Sequence, residues 1–439
     1  MKDKLFTKSY IAIVIANFMQ MFGFWSTMPL LPFYLEERFA CSESKIGIVL
    51  CLFTVAALTF RPFSGYLLDT FRRKPLYLTA YFFFMSIFAG YIVCASLTMF
   101  IILRIAHGVS FGAQSVGGNT LVVDIMPSSR RGEGLGYYGL TNNIAMSIGP
   151  MAGLLMKRHF AYDAIFTMSL TVCFIGFIAA TQIRQKKKIA TTDSGHSDSN
   201  NSVNEAVHAQ KSNAPLSSCT VSRTTDTIND YKTKSPLIKL DRFILLHGIP
   251  ASISLLLLSI PYGATTNFVA MYVRQMTLNV EPGLYFTFMA VGMGVSRLFS
   301  GKMVDRGFVT RTICYGLYLI ILAFALLASC EHIVSLNRIV ACVVFFTVPL
   351  LQGIGFGMLF PAYNTLFISL APHNRRATAT STYLTAWDAG IGIGLVTSGL
   401  IAEHSSFGRV YLVGALLCVI STLFFHKVVI PHYIKNRLE

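Results

Sequence analysis

Charge is what this chain has least of. Only 13% of its 439 residues are Asp, Glu, Lys or Arg, where a soluble domain carries roughly a quarter. With 54% of its residues hydrophobic, most of its surface must face something other than water. Apolar runs of about 20 residues are long enough to cross a bilayer core as helices. The runs lack the period-two alternation of barrel strands, which disfavours a closed membrane β-barrel. No G-x-x-x-x-G-K-[ST] loop is present to cradle nucleotide phosphates, which argues against ATP drive. No CxxC or Cys/His spacing suits a metal, and no enzyme constellation appears, so neither catalysis nor a cofactor is expected. The N-terminus has no small-residue cleavage site after a short apolar core and reads as an uncleaved first span.

The nine cysteines form no paired framework. Cys51, Cys94, Cys173, Cys314, Cys342 and Cys418 lie in or at the ends of apolar runs, where Cys acts as a small hydrophobe. Cys41 and Cys330 could share one side of the membrane, but a disulfide between them does not follow from sequence. The formal net charge is +16. It sits in short clusters between apolar runs rather than along one face, so nucleic acid is not an expected partner.

What the chain does have is a stretch written twice. HGVSFGAQSVGGNTLVVDIMPSSRRG begins at His107 and QGIGFGMLFPAYNTLFISLAPHNRRA at Gln352. Without a gap, Gly108, Phe111, Gly112, Asn119 and Pro127 fall on Gly353, Phe356, Gly357, Asn364 and Pro372. RPFSGYLLD from Arg61 is likewise repeated as RLFSGKMVD from Arg297. Repeated halves in a strongly apolar chain mark a secondary transporter.

Twelve spans are expected, six on each side of a polar stretch. The first six cover about 10–34, 46–68, 76–97, 100–123, 135–156 and 164–183, and the second six about 243–273, 283–303, 312–328, 340–370, 378–402 and 410–429. The stretch 185–241 is rich in Ser, Thr, Asn and Lys and cannot bury enough apolar surface to offset its ordering entropy. It reads as a disordered cytoplasmic linker between bundles at 1–184 and 242–439. Lys and Arg crowd the termini and the turns holding Arg72, Arg73, Lys74, Arg130, Arg131, Lys302, Arg306, Arg375 and Arg376. The opposite loops hold fewer, among them Arg38, Lys45, Lys157, Arg158 and Arg274. Positive charge stays inside, so both termini are expected in the cytoplasm of a multi-pass protein, with a bacterial inner membrane the better fit.

Several motifs resemble those of the major facilitator superfamily over all but the linker. Gly65-Tyr-Leu-Leu-Asp69-Thr-Phe-Arg72-Arg73-Lys74 is similar to the family's G-x-x-x-D-x-x-G-R-K turn, with Arg72 where the second glycine is usual. Gly301-Lys-Met-Val-Asp305-Arg306 echoes it. Arg104-Ile-Ala-His107-Gly108 resembles R-x-x-Q-G, with His107 replacing glutamine. Gly149-Pro150-Met-Ala-Gly153 resembles the antiporter signature G-P-x-x-G-G, with Leu154 at its last position. Met28-Pro29-Leu-Leu-Pro32 is similar to a P-x-x-P turn of twelve-span exporters. The resemblance implies an all-α fold of two pseudo-symmetric six-helix bundles and a gate at Gly65, Asp69, Arg73 and Asp305. For Gly149, Pro150 and Gly153 it implies a part in helix motion.

Charges inside spans are costly and therefore functional candidates. Arg61 and Arg297 repeat, as scaffold does. Arg104 and Asp388 do not: they align with Pro349 and Asn143. Asp388 is the one carboxylate well inside a span, where desolvation favours its protonated form, although bracing helix eleven through a fixed bond is an equal reading. Arg104 can handle substrate or protons, and His107 can relay protons near neutral pH or simply be a buried, bonded histidine. Asn17, Gln20, Gln114, Asn142, Asn143, Asn267, Tyr383 and Trp387 are candidate cavity liners, each of which could instead be packing. The expected function is proton-coupled export of small amphipathic drugs or metabolites by a monomer in the bilayer. Proton-coupled uptake of a sugar or organic anion is the nearest rival, and a transport-inactive receptor or scaffold is the rival from another class.

Overall fold

The computed structural model describes residues 5–127, 130–184, 244–372 and 375–438, without the side chains of 62, 65, 66, 69, 70, 131–133, 298 and 377. The linker expected over 185–241 lies outside the described residues. In the first half the helices are α1 Lys8–Thr27 and α2 Leu31–Phe39, which form one span, then α3 Glu43–Thr70, α4 Arg73–Ile92, α5 Leu97–Ile125, α6 Arg131–Lys157 and α7 Tyr162–Thr181. The second half holds α8 Ile249–Gln275, α9 Gly283–Asp305, α10 Val309–Leu336, α11 Arg338–Ser369, α12 Arg376–His404 and α13 Phe407–Phe424, and a π-helical turn over Phe425–Val429 leads into α14 Ile430–Asn436.

Span ends follow local chemistry. Thr7 accepts a hydrogen bond from the Tyr10 amide and Asn337 from those of Ile339 and Val340, filling donors that a helix start leaves open. Pro29 and Pro32 remove helical donors, so the first span passes through a 3-10 turn at Met28–Leu30 before continuing to Phe39. Two boundaries depart furthest from expectation. Helix α10 runs to Leu336, beyond the expected end at 328, because Glu331, His332 and Ser335 continue a helix rather than stop one. The last span continues through the π-helical turn to Asn436.

Among the described residues, ten helices are long and apolar enough to cross a membrane by length and composition. The two further spans are α6 and α9, whose glycines, joined in α6 by the amides Asn142 and Asn143 and in α9 by Arg297, dilute their hydropathy. They pack on one another across the halves: the Thr287 hydroxyl donates to Met151 Sδ at 3.0 Å, and a Cβ on Gly283 would sit 2.9 Å from Met151 Cα. Each therefore shields part of the other from lipid, which lowers the hydropathy a span needs.

The halves repeat their packing. In the first, α1 packs on α6 and α7, α5 on α3 and α4, and α4 on α7. In the second, α8 packs on α12 and α13, α11 on α9 and α10, and α10 on α13. The repeat extends to atoms. A Cβ on Gly108 would meet the Phe53 carbonyl oxygen at 2.2 Å, and one on Gly353 would meet that of Met289 at 2.0 Å. Extending the Arg61/Arg297 register upstream aligns Phe53 with Met289. The seam between the halves is formed by α3 against α12 and α6 against α9.

Candidate functional site

Both ends of the first half meet at one face of the bundle, where Ser9 Oγ donates to the Arg184 carbonyl. The opposite, distal end carries charged contacts across the seam. Arg274 pairs with Glu36, Arg158 Nη1 lies 2.9 Å from Glu281 Oε2, and the Ser44 amide at the start of α3 donates to Glu403 at 2.9 Å. The last is a carboxylate on a helix N-terminus, where the helix dipole favours it. Glycines let α3 and α12 close here: a Cβ on Gly399 would lie 2.3 Å from the Glu43 oxygen, and one on Gly47 2.3 Å from that of Leu395. The distal end is closed.

Deeper in the same seam, Arg61 on α3 meets Asp388 on α12, Nη1 to Oδ2, at 2.5 Å. The contact is one of charge, since this Nη1 has no aligned hydrogen-bond acceptor. Arg61, read from sequence as scaffold, is thus the partner of the candidate proton carrier. The repeat does not supply this pair twice, because Arg297 and Asn143 stand in the corresponding places. Asp388 braces the seam, and the same contact leaves its carboxylate where protonation would release it.

Next to Asp388, the Trp387 ring packs among Tyr262 and Phe360, both at 4.8 Å, and Phe356 at 5.9 Å. The Tyr262 hydroxyl donates to Met146 Sδ across the seam at 3.0 Å. Tyr383 packs on Phe367. The second half thus presents an aromatic cluster beside the charged contact.

The first half holds the other cluster. Arg104 and His107, one helical turn apart on α5, are 1% and 0% exposed. The guanidinium carbon sits 4.6 Å over the Phe53 ring. His107 Nδ1 bonds the Tyr91 hydroxyl at 3.1 Å, and its ring is enclosed by Phe84, Phe88, Phe53 and Phe24 at 4.4, 5.2, 5.6 and 6.0 Å. Among the described residues, Nε and Nη1 of Arg104 and Nε2 of His107 have no hydrogen-bond partner. Gln352, aligned with His107, is equally buried. It accepts from the Tyr285 hydroxyl at 2.8 Å and also has an unpartnered nitrogen, Nε2. Sequence reasoning passed over Gln352 although it heads the second copy of the repeat opposite His107.

Several candidate liners instead bond within one half. Gln20 and Gln114 exchange hydrogen bonds, and Asn17 donates to Thr141 at 2.8 Å. Asn267 donates to the Gly263 carbonyl of its own helix. Asn142 accepts from Trp25 Nε1 at 3.4 Å, and Asn143 is half-buried. Among the gate residues, Arg73 pairs with Asp124 at 2.6 Å, a partner sequence did not suggest. Asp305 ends α9, exposed. The side chains of Gly65 and Asp69 on α3 lie outside those described. Gly149 and Gly153 bring α6 onto α1: a Cβ on Gly153 would stand 1.9 Å from the Ser26 oxygen, and Pro150 lies between them inside the helix. Cys41 and Cys330 are free thiols.

Two repeated six-helix bundles with charged contacts across a common seam have the architecture of a secondary transporter. The chain belongs to the Major Facilitator Superfamily, whose family model matches residues 13–349 and 340–437. It is a multi-pass membrane transporter and not an enzyme. Its sequence is 22% identical over 392 residues to the staphylopine export protein of Staphylococcus aureus, covering 88% of each chain. It is 21% identical over 411 residues to the multidrug resistance protein MdtG of Salmonella choleraesuis, covering 92% and 90%. A 190-residue match to the class H tetracycline resistance protein of Pasteurella multocida is 30% identical and covers 40% and 46%. Among solved structures it shares the fold of a D-xylose–proton symporter, with a TM-score of 0.70, 14% identity and coverage of 98% and 99%. It also shares that of a peptide transporter, POT, with a TM-score of 0.70, 13% identity and coverage of 98% and 96%.

Proposed function

We propose that this protein is a proton-coupled exporter of small amphipathic molecules, drugs or metabolites, working by alternating access between its two bundles. The observation that carries the proposal is the Arg61–Asp388 contact across the seam. When Asp388 takes up a proton the ion pair is lost, the interaction holding α3 to α12 weakens, and the halves are freed to rock. Deprotonation re-forms the pair. A carboxylate whose charge is spent on a contact between moving bodies links proton occupancy to conformation without any other part. Export is supported by the names of the relatives, which include an export protein and drug resistance proteins. With both termini in the cytoplasm and 185–241 as a cytoplasmic linker, the distal end faces outside, and its contacts across the seam are the ones that must part for release. The single chain carries both halves and works as a monomer.

The test uses everted membrane vesicles with a pH-sensitive dye and a small panel of amphipaths, ethidium and 1-naphthoate among them. The wild type should release protons from acidified vesicles as substrate enters, and an uncoupler should collapse accumulation. Asp388→Asn should lose at least about tenfold of this flux, some 1.4 kcal/mol of coupling. Accumulation that survives the uncoupler would refute proton coupling. Gradient-driven accumulation in right-side-out vesicles would replace export with uptake.

A further inference from the structure

We infer that Arg104 and His107 form a docking point for the carboxylate of an amphipathic substrate; the inference rests on the exporter reading and names its substrate class. A fully buried guanidinium without a counter-ion is expensive, because desolvation penalises the charge and the Phe53 ring face at 4.6 Å returns only part of the loss. Asp388, the carboxylate deep in a span, is held by Arg61, so Arg104 is left with Nε and Nη1 unpartnered. His107 adds a third unpartnered nitrogen, Nε2, and the Tyr91 hydroxyl on Nδ1 fixes the ring. Arg104 and His107 both lie against Phe53, at 4.6 and 5.6 Å.

The scaffold does not require this arrangement. The same helix positions in the other half are Pro349 and Gln352. A charge kept at such cost in one repeat only is kept for a ligand. The ligand must be anionic to meet Arg104, and the phenylalanines Phe24, Phe53, Phe84 and Phe88 packed around the His107 ring make the surroundings apolar, which disfavours a hydrated inorganic ion. A carboxylate on an aromatic or aliphatic body satisfies both. Helix α5 begins at Leu97, so Arg104 lies about 10 Å along it from the distal end. That end is closed by the Arg274–Glu36 and Arg158–Glu281 pairs, so its opening would admit water to the site and favour release.

The experiment is ligand-dependent thermal stability of the full-length protein in detergent. The acids 1-naphthoate and decanoate should raise the Tm. Their amides, which have the same bodies without the charge, should not, and neither should sodium sulfate at matched ionic strength. Arg104→Gln should raise the half-saturating naphthoate concentration about tenfold or more, and Arg104→Lys by less. Should Arg104→Gln fail to fold, the contrast between acid and amide on the wild-type protein decides alone. Equal protection by acid and amide, protection by sulfate, or no protection by either acid overturns the inference. Proton-linked efflux without any preference for acids would sink this site and spare the exporter. Acid binding without proton-linked efflux would do the reverse.

Discussion

The two halves share a backbone and differ in where they place charge. At the distal end the difference is one of sign. Arg158 aligns with Glu403, the former meeting Glu281 just before α9 and the latter the amide of Ser44 on α3. Each half thus contributes one charged residue from the end of its fifth span to the start of the partner's second, with opposite polarity. In mid-membrane the difference is one of presence. Arg61 and Asp388 form a pair where the other interface has Arg297 and Asn143, and Arg104 and His107 stand where the other half has Pro349 and Gln352. Close helix approach is repeated because both halves must pack. The mid-membrane residues Arg104, His107 and Asp388 are not repeated, and on the proposed exporter reading this is where a proton and a substrate would be linked.

If glycine contacts are scaffold, breaking them should cost the same in either half, and this is the largest effect expected. Gly108→Ala and Gly353→Ala each place a Cβ near 2 Å from a backbone oxygen of the neighbouring helix, at 2.2 and 2.0 Å. Overpacking against backbone costs about 1–3 kcal/mol or more, so both variants should show clearly lowered Tm by nearly equal amounts. Gly136→Ala, with nothing within 4 Å, should be neutral or slightly stabilising. A large cost at Gly108 with none at Gly353 would break the equivalence.

Much of this was legible in the sequence. Apolar runs gave the spans to within a few residues, apart from the ends of α10 and of the last span, because lipid leaves a helix little alternative to satisfying its own backbone. The repeat revealed the equivalence of Gly108 with Gly353, and unrepeated charges pointed to Arg104 and Asp388. Partnership was not legible. Arg61 and Asp388 are far apart in the chain and no local period links them. The repeat, read as evidence that Arg61 was architectural, concealed that its partner was the unrepeated carboxylate. Nor could sequence say that Gln20 and Gln114 bond each other rather than line a cavity, since an amide in a span looks the same in either case.

An intermediate effect is expected at the tyrosine-anchored positions. His107→Leu would strand the Tyr91 hydroxyl, and Gln352→Leu the Tyr285 hydroxyl, each at about 1–3 kcal/mol for a buried group left unsatisfied. His107→Gln supplies the acceptor that the other half already uses. It should keep stability within about 1 kcal/mol of wild type in denaturation while removing the titratable ring from the first half. A normal pH dependence of transport in this variant would show that the imidazole carries no proton, leaving that task to Asp388. Loss of stability equal to that of the leucine variant would instead mean that the enclosing phenylalanines need an aromatic ring.

The smallest effect belongs to the distal pairs, because exposed ion pairs are worth about 0–1 kcal/mol. Arg158 is 61% exposed while its partner Glu281 is 13% exposed, so solvent screens the cation more than the anion. Arg158→Glu should open the distal end by less than about fivefold in population, corresponding to 1 kcal/mol. Distances between spin labels in the α2–α3 and α8–α9 loops would report it. Adding Glu281→Arg should restore closure, since the reversed pair has the polarity of the interface on the other side, where the second half already supplies the anion through Glu403. Restoration would mean that the sign of each distal contact is arbitrary and only its attraction matters. Failure to restore would mean that the Arg158 position requires a cation for a reason of its own, such as steering an anionic substrate away after release.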